Sequence, residues 1–414
     1  MKAPILLSNV FDIAETGLSS ECFATQWPPQ SRAKYSWLSM TSQDSNVLFY
    51  WLALERVPRV GPLTIARLIQ AFGTPEAVLH AGAQEIRKRT GLGEKIAALI
   101  STFSIPADSI LKHIKILEEM DVQVITRWDA DYPQNLLEIY DPPALLFVRG
   151  NFVPEDKAAV GIVGTRNPTR YGLDMAEQIT KELIREGITI ISGLARGIDT
   201  ACHKAAYKAG GRSIGVLGCG IDVTYPRENR ELMEQMLHQG AVITEFRPGT
   251  EPLPTNFYRR NRIISGLAKG VLVVEAAKSS GSLITAHHAL EQNRDVLAVP
   301  GNVRNLKSSG PHHLIKQGAA LVESGQDVLH ALFATSGKPV MQQQGLFQAT
   351  RESNDVAPES LTVLEAIDLD PVPIDLICES VGLEAGKLSG ILLELELQGL
   401  VKQHPGKMFS RILK

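Results

Sequence analysis

The sequence predicts an α/β protein built on a mostly parallel sheet with helices on both faces, preceded by a small helical unit and followed by a winged helix. Three observations carry this. From about residue 120 to 330, short β-rich apolar runs alternate with helical segments, the pattern of βαβ units. Ahead of them, two similar pieces each set a short glycine turn before an amphipathic helix. Behind them, helices run into two strand-like pieces around a Pro-Gly turn.

At 414 residues the chain exceeds one ordinary core, so several domains are expected. Residues 1–44 mix Pro, Ser and Gln with isolated aromatics and show no period, which reads as a poorly ordered extension. Met40 is a candidate true start. Residues 45–118 hold "VPRVGPLTIARLIQAFG" and "IRKRTGLGEKIAALI", a candidate paired helix-hairpin-helix (SAM-like) domain. Residues 119–332 carry "VQVIT", "ALLFV", "AVGIVG", "ITIISG", "SIGVLG", "AVITEF", "GVLVVEA" and "VLAVPG". Continuous apolar runs of this length suit strands covered on both faces. Residues 333–358 are polar and aperiodic, a linker by composition. Residues 359–414 form the winged helix, ending in "LVKQHPGKMFSRI".

Composition excludes several classes. With 44% hydrophobic and 21% charged residues and a net charge of −3, the chain is ordinary globular protein. No apolar run approaches the roughly 18 residues that span a bilayer, and the start lacks a persuasive cleavage site, so a cytoplasmic protein without a membrane partner is expected. Cys22, Cys202, Cys219 and Cys378 are scattered, with no CxxC pair, so neither a disulfide framework nor a zinc site is signalled. The pairs His287/His288 and His312/His313 are adjacent, whereas metal-binding pairs on a helix prefer i, i+4. No GxxxxGK[ST] occurs, and "GCGIDV" lacks the full GxGxxG spacing, so neither cofactor nor metal is expected. Glu245 and Glu275 end strands without a partner carboxylate or nucleophile; buried ion pairs with arginines are their expected role.

In an open parallel sheet, ligands bind at the carboxyl ends of strands. After "AVGIVG" come Arg166 and Arg170; after "ITIISG", whose last residues are Ser192 and Gly193, come Arg196, Gly197 and Asp199, the last an expected helix N-cap. The loop after "SIGVLG" brings Gly218 and Gly220, and the one after "GVLVVEA" brings Ser280, Gly281 and Ser282. Glycine- or hydroxyl-rich loops that open helices aim bare N–H groups and a helix dipole at whatever sits there, so the expected ligand is anionic. Residues 255–270, which include "FYRRNRIISGLAKG", hold four basic side chains and no acidic one. Arg259, Arg260 and Arg262, with Asn261 among them, suit phosphate, which a guanidinium grips bidentately. Phe257 adds a flat face on which an unpaired base can stack. From the chemistry alone, the cluster reads equally well as a solvated helix surface with Phe257 in the core.

"GIVGTRNPTRYG", "SGLARGIDTACHKAA", "GVLGCGIDVTYPRENREL", "FYRRNRIISGLAKG", "EAAKSSGSLITAHHALEQNRDVLAVPGN" and "GPHHLIKQGA" follow one another in an order that resembles the DNA processing protein A family (DprA, also called Smf). The resemblance covers roughly residues 47–414 and is most specific over 159–320. It implies an extended Rossmann fold that binds single-stranded DNA and is not an enzyme. It also implies a homodimer that protects incoming strands during natural transformation of competent bacteria. The resemblance further implies that such a dimer recruits the RecA recombinase and displaces single-strand binding protein. By motif, Arg166 is the Arg of "GTR", and Phe257, Arg260 and Arg262 belong to the family's "FPxRNR", which marks them as strand contacts. Tyr258 stands where the family usually has Pro and offers a second stacking face. "VGP" replaces the expected "GxG" in the first hairpin.

Two other functions compete. The same superfamily contains nucleotide-hydrolysing enzymes and nucleotide sensors, whose phosphates the loops would also suit. A transcription regulator would use the winged helix, but "AGKLSGILLELELQGL" offers Lys387 against Glu394 and Glu396. Residues 359–414 have nine acidic and five basic side chains, while 55–115 have five acidic and nine basic. Opposite charge suggests opposite tasks, nucleic acid for the amino-terminal unit and protein or self contact for the carboxy-terminal one.

Overall fold

In the computed structural model, residues 45–333, 358–367, 372–398, 400–404 and 408–411 are described. The extension expected over 1–44 and residues 334–357 of the expected linker lie outside them. The chain divides into two units, residues 1–337 and 338–414.

The first unit opens with helices α1 (Ser45–Glu55), α2 (Pro62–Phe72), α3 (Pro75–His80), α4 (Ala83–Thr90), α5 (Glu94–Ser101) and α6 (Ala107–Glu119). Pro62 starts α2 behind the N-cap Gly61, and Gly73 ends it with φ 84°. Pro and Gly belong at those two ends, because the first amide needs no partner and the last turn reverses hand. α5 starts behind Gly93, two residues after Gly91 at φ 69°. The first hairpin makes the same turn without that glycine: Arg59, two residues before Gly61, takes φ 64° itself.

The sheet region follows as β1 (Gln123–Thr126), α7 (Gln134–Leu137), β2 (Leu145–Gly150), β3 (Ala159–Val163), α8 (Arg170–Arg185), β4 (Thr189–Ser192), α9 (Ile198–Lys208), β5 (Ser213–Val216), α10 (Arg230–Leu237) and β6 (Ala241–Thr244). It continues through α11 (Pro254–Leu267), β7 (Gly270–Val273), α12 (Ser282–Glu291), β8 (Asp295–Ala298), α13 (Ser309–Lys316), β9 (Ala320–Leu321) and α14 (Gly325–Phe333). All eight expected strands are present. The ninth, β9, is two exposed residues, too short to leave a run in the sequence.

Strand order is β1-β2-β6-β5-β4-β3-β7-β8-β9. β1, β2 and β6 pair antiparallel, and every pair from β6 to β9 is parallel. β3 lies between β4 and β7, with Val160 opposite Gly270 and Val163 opposite Val273. The order therefore reverses beside β3, and the crevice for a ligand opens there. β3 to β7 are buried along their whole length. One core packs Ile263, Ile264 and Leu267 of α11 and Ala286 of α12 on one face; another packs Ala176, Ile179 and Leu183 of α8 with Cys202 and Ala206 of α9.

The amino-terminal helices do not keep a core to themselves. Leu52, Leu54, Leu68, Ile86 and Ile110 belong to one cluster with Leu145 and Phe147 of β2, Leu217, Met233 and Val242. Trp51 of α1 stacks on Trp128 at 5.1 Å.

The second unit comprises α15 (Pro358–Glu365), β10 (Val372–Pro373), α16 (Ile374–Val381), α17 (Ala385–Leu397), β11 (Val401–His404) and β12 (Met408–Arg411). Its sheet runs β10-β12-β11 around a core of Val363, Ile377, Leu388, Leu392 and Phe409. Lys387 on α17 pairs with Glu359 at 2.8 Å.

Candidate nucleic-acid interface

Helix α11 dominates the carboxyl edge of the sheet, and its two halves differ. Leu253, Tyr258 and Arg259 at its start are exposed, whereas every residue from Arg260 to Leu267 is buried. The expectation that Arg260 and Arg262 stand free for phosphate is therefore corrected: both face inward. The Arg260 guanidinium donates to the carbonyls of Gly193, at 2.6 Å, and Val216, and Asn261 accepts from its Nε. Burial lowers its pKa to about 10, with Asp199 opposing the shift, so it stays charged at neutral pH. Arg262 is held by Glu245 at 2.6 Å and Asp141 at 3.2 Å. Glu245 thus has the ion-pair role expected of it, and burial raises its pKa.

The glycines serve these side chains. A Cβ on Gly193 would lie 2.2 Å from Arg260 Nη1, and one on Gly218 would lie 2.6 Å from the Phe257 ring. Both positions are bare so that a side chain of α11 can enter, not so that an anion can approach. Gly220 is hemmed in by Asp222 and the backbone of Arg247 and Gly249. Ser192 is fully buried and donates to the Ile162 carbonyl at 2.6 Å.

Two helix starts depart from expectation in the same sense. Asp199 does not cap α9; Gly197 does, and the Asp199 carboxylate reaches back to the Ala195 amide. Desolvation pushes its pKa up to about 6. Among the described residues, Glu275 pairs with no arginine. Its carboxylate instead accepts from Thr169 N at 2.8 Å and Thr169 Oγ1 at 2.6 Å, a built-in anion at the start of α8. A Cβ on Gly172 would strike it.

What remains at the surface forms the candidate interface. Arg166 is exposed in the loop after β3, with its guanidinium 5.5 Å from the centre of the Phe257 ring. Arg260 lies 5.7 Å from the same ring. Arg170 is exposed beside Asp174, and Arg196 is exposed beside Glu228. Arg259 projects from α11, its side chain 54% accessible. At the start of α12 the Ser280 and Ser282 hydroxyls bond each other at 2.7 Å, and nothing stands within 4 Å of a Cβ on Gly281.

The chain's regions match known families in the same order. Residues 123–333, about half the chain, match the model of DNA recombination-mediator protein A. The chain belongs to that family. Within it, residues 46–96 match the DprA-like N-terminal HHH domain and residues 347–407 the DprA winged helix domain. Among its relatives, protein Smf of Synechocystis is 35% identical over 394 residues, covering 87% of this chain and 98% of that protein. Protein Smf of Escherichia coli is 40% identical over 323 residues, covering 78% and 85%. The crystal structure of DNA processing protein A from Streptococcus pneumoniae superposes with a TM-score of 0.59 at 36% identity, over 69% of this chain and 98% of that one.

Tyr225, which sequence reasoning passed over, also reaches the candidate interface: its ring lies 5.4 Å from Phe257. The signal was an aromatic in the loop after a strand, "DVTYPREN", overlooked beside the charges. A cavity of about 430 Å³ lies elsewhere, lined by Tyr132, Asn135, Phe152, Pro154 and Leu267. Among its polar groups, Asn135 Nδ2 donates to Lys157 O and Leu267 O, and Asp156 pairs with Arg212. Among the described residues, no group of three or more His, Cys, Asp or Glu is placed to hold a metal, and no helix is long and apolar enough to cross a membrane.

Proposed function

We propose that this protein binds single-stranded DNA along the carboxyl edge of its sheet, protects the strand, and delivers it to the RecA recombinase in place of single-strand binding protein during natural transformation. The carrying observation is Phe257, held from below by Gly218 and Arg260 and flanked by the exposed Arg166. A fixed ring beside the exposed Arg166 guanidinium suits a strand whose bases are unpaired. Arg166, Arg170, Arg196 and Arg259 supply phosphate contacts, and Ser280, Gly281 and Ser282 offer hydroxyls and amides. Ser192, Gly193, Gly218, Gly220, Arg260, Asn261 and Arg262 position them from beneath. The names of relatives support the DNA half of this reading.

A mononucleotide enzyme is less well supported. Its phosphates would seek the start of α8, where the Glu275 carboxylate already lies. The working form we propose is a homodimer, because two grooves on one strand multiply affinity through effective concentration. Exposed Val303, Leu306 and Leu321 near the β8–β9 edge offer it apolar surface.

Fluorescence titration of oligo-dT against matched duplex over a salt series, with a nucleotide-hydrolysis assay and light scattering on the same preparation, tests the reading. Preference for oligo-dT with a log–log salt slope of about −0.7 per phosphate supports it. Equal affinity for duplex, or nucleotide turnover, overturns it.

A further inference from the structure

The first turn of α11 presents two consecutive aromatic rings, and each meets a different ring from another element. Phe257 meets Tyr225 of the loop after β5 at 5.4 Å and 40°. Tyr258 meets His288 of α12 edge-on, at 5.5 Å and 73°. Neighbours on a helix diverge by about 100°, so the two pairs open on different sides of the turn. Tyr225 is 37% exposed and Tyr258 53% exposed, large apolar faces left in water. Neither ring is loose. Arg166 and Gly218 border Phe257, while Glu291 holds His288 Nδ1 at 3.2 Å behind Tyr258.

Resting on the single-strand reading above, we propose that successive unpaired bases of one strand stack in two aromatic stations, Tyr225/Phe257 and Tyr258/His288, on either side of the first turn of α11. The occupant follows from the surroundings. Exposed Arg166 and Arg196 lie on the Tyr225 side and exposed Arg259 beside Tyr258, so a chain with an anionic backbone and flat bases complements both. An apolar peptide would offer the exposed Arg166 no counter-charge. Tyr225 and Tyr258 are thereby base-contacting residues, and His288 is a positioning residue that acts through Tyr258.

The experiment uses the full chain and fluorescence anisotropy with two probes, oligo-dT and an equally long strand of abasic sites that carries the same phosphates without bases. Tyr225→Leu and Tyr258→Leu keep apolar bulk and remove the aromatic face; Tyr225→Phe and Tyr258→Phe restore it. Each Leu variant is expected to bind oligo-dT about five- to 100-fold more weakly. Salt slope and abasic-strand affinity stay unchanged, the Phe variants match the unaltered chain, and the double Leu variant loses the product of the two factors. A Leu variant that binds oligo-dT like the unaltered chain overturns the two-station arrangement, as does an equal loss on the abasic strand. If the unaltered chain shows no affinity for oligo-dT, the single-strand reading itself fails, an outcome distinct from either.

Discussion

At the scale of single residues, the arginines sort by where their charge ends. Arg260 delivers it to two backbone carbonyls inside the molecule, so Arg260→Leu should unfold the protein more readily, by roughly 3–5 kcal/mol, because Asp199 loses its nearby cation and two carbonyls lose their donor. Arg166→Ala should leave the urea midpoint in place and reduce the salt slope of strand binding by about 0.7. Chemical denaturation and titration of the two variants side by side separate the roles. Glu228 occupies Arg196 in the absence of DNA, so Glu228→Gln should free that guanidinium and tighten oligo-dT binding by about two- to fivefold, the modest scale of exposed ion pairs. A weakened or unchanged affinity would show that Arg196 does not meet the strand. His203 is a different case, a fully buried imidazole with a pKa lowered by burial from 6.5 to about 3. Between those values the unfolded chain binds the extra proton, so stability falls as pH drops from about 6.5 toward 3. Asp199, raised from 3.8 to about 6, works the other way over the narrower window. His203→Leu should therefore flatten the acid limb of a urea-midpoint-versus-pH curve.

At the scale of elements, what the sequence revealed depended on how each element is buried. β3 to β7 are covered on both faces, so their apolar runs are continuous and stand out. The second half of α11 is also enclosed on every side, from Arg260 to Leu267, and there enclosure hides the answer. A helix with one wet face betrays the direction of each residue by its period, but a helix buried all round does not, and Arg260 and Arg262 on it look like the exposed Arg259 that precedes them. The first turn differs, with Phe257 half-buried and Tyr258 and Arg259 exposed. The hairpin before α2 carries a second lesson. Its missing glycine did not abolish the turn, because Arg59 adopts the left-handed conformation, at a penalty of about 1–2 kcal/mol for a residue with a Cβ. Arg59→Gly should raise unfolding stability by up to about 1 kcal/mol, the relief being offset in part by the freedom glycine adds to the unfolded chain. Thermal melts of the two proteins decide it, and a lower midpoint for the glycine form would contradict the strain assignment.

At the scale of the molecule, charge divides the chain. The winged helix is acidic, and Lys387, the sole basic residue of α17, is already paired with Glu359. A duplex-reading helix depends on phosphate attraction, which this one cannot supply. Removing residues 340–414 should leave oligo-dT affinity within about tenfold of the full chain, roughly 1.4 kcal/mol, while recombinase loading measured on the same preparation falls. A larger loss of affinity would place the strand on the winged helix and refute the charge argument.

The cluster that joins Leu52, Leu68 and Ile86 to Phe147, Leu217 and Val242 also sets an order of events during synthesis. The amino-terminal helices leave the ribosome first, yet the apolar surface that completes their burial is not made until Val242 has emerged. At about 5–20 residues per second, the nascent chain carries that uncovered face for on the order of 10–40 seconds, long enough for chaperones or a neighbouring nascent chain to find it. A pause in translation between the codons for Glu119 and Val242 would lengthen that interval, whereas one after β6 would not, so yield of soluble protein should depend on where in the message slow codons fall.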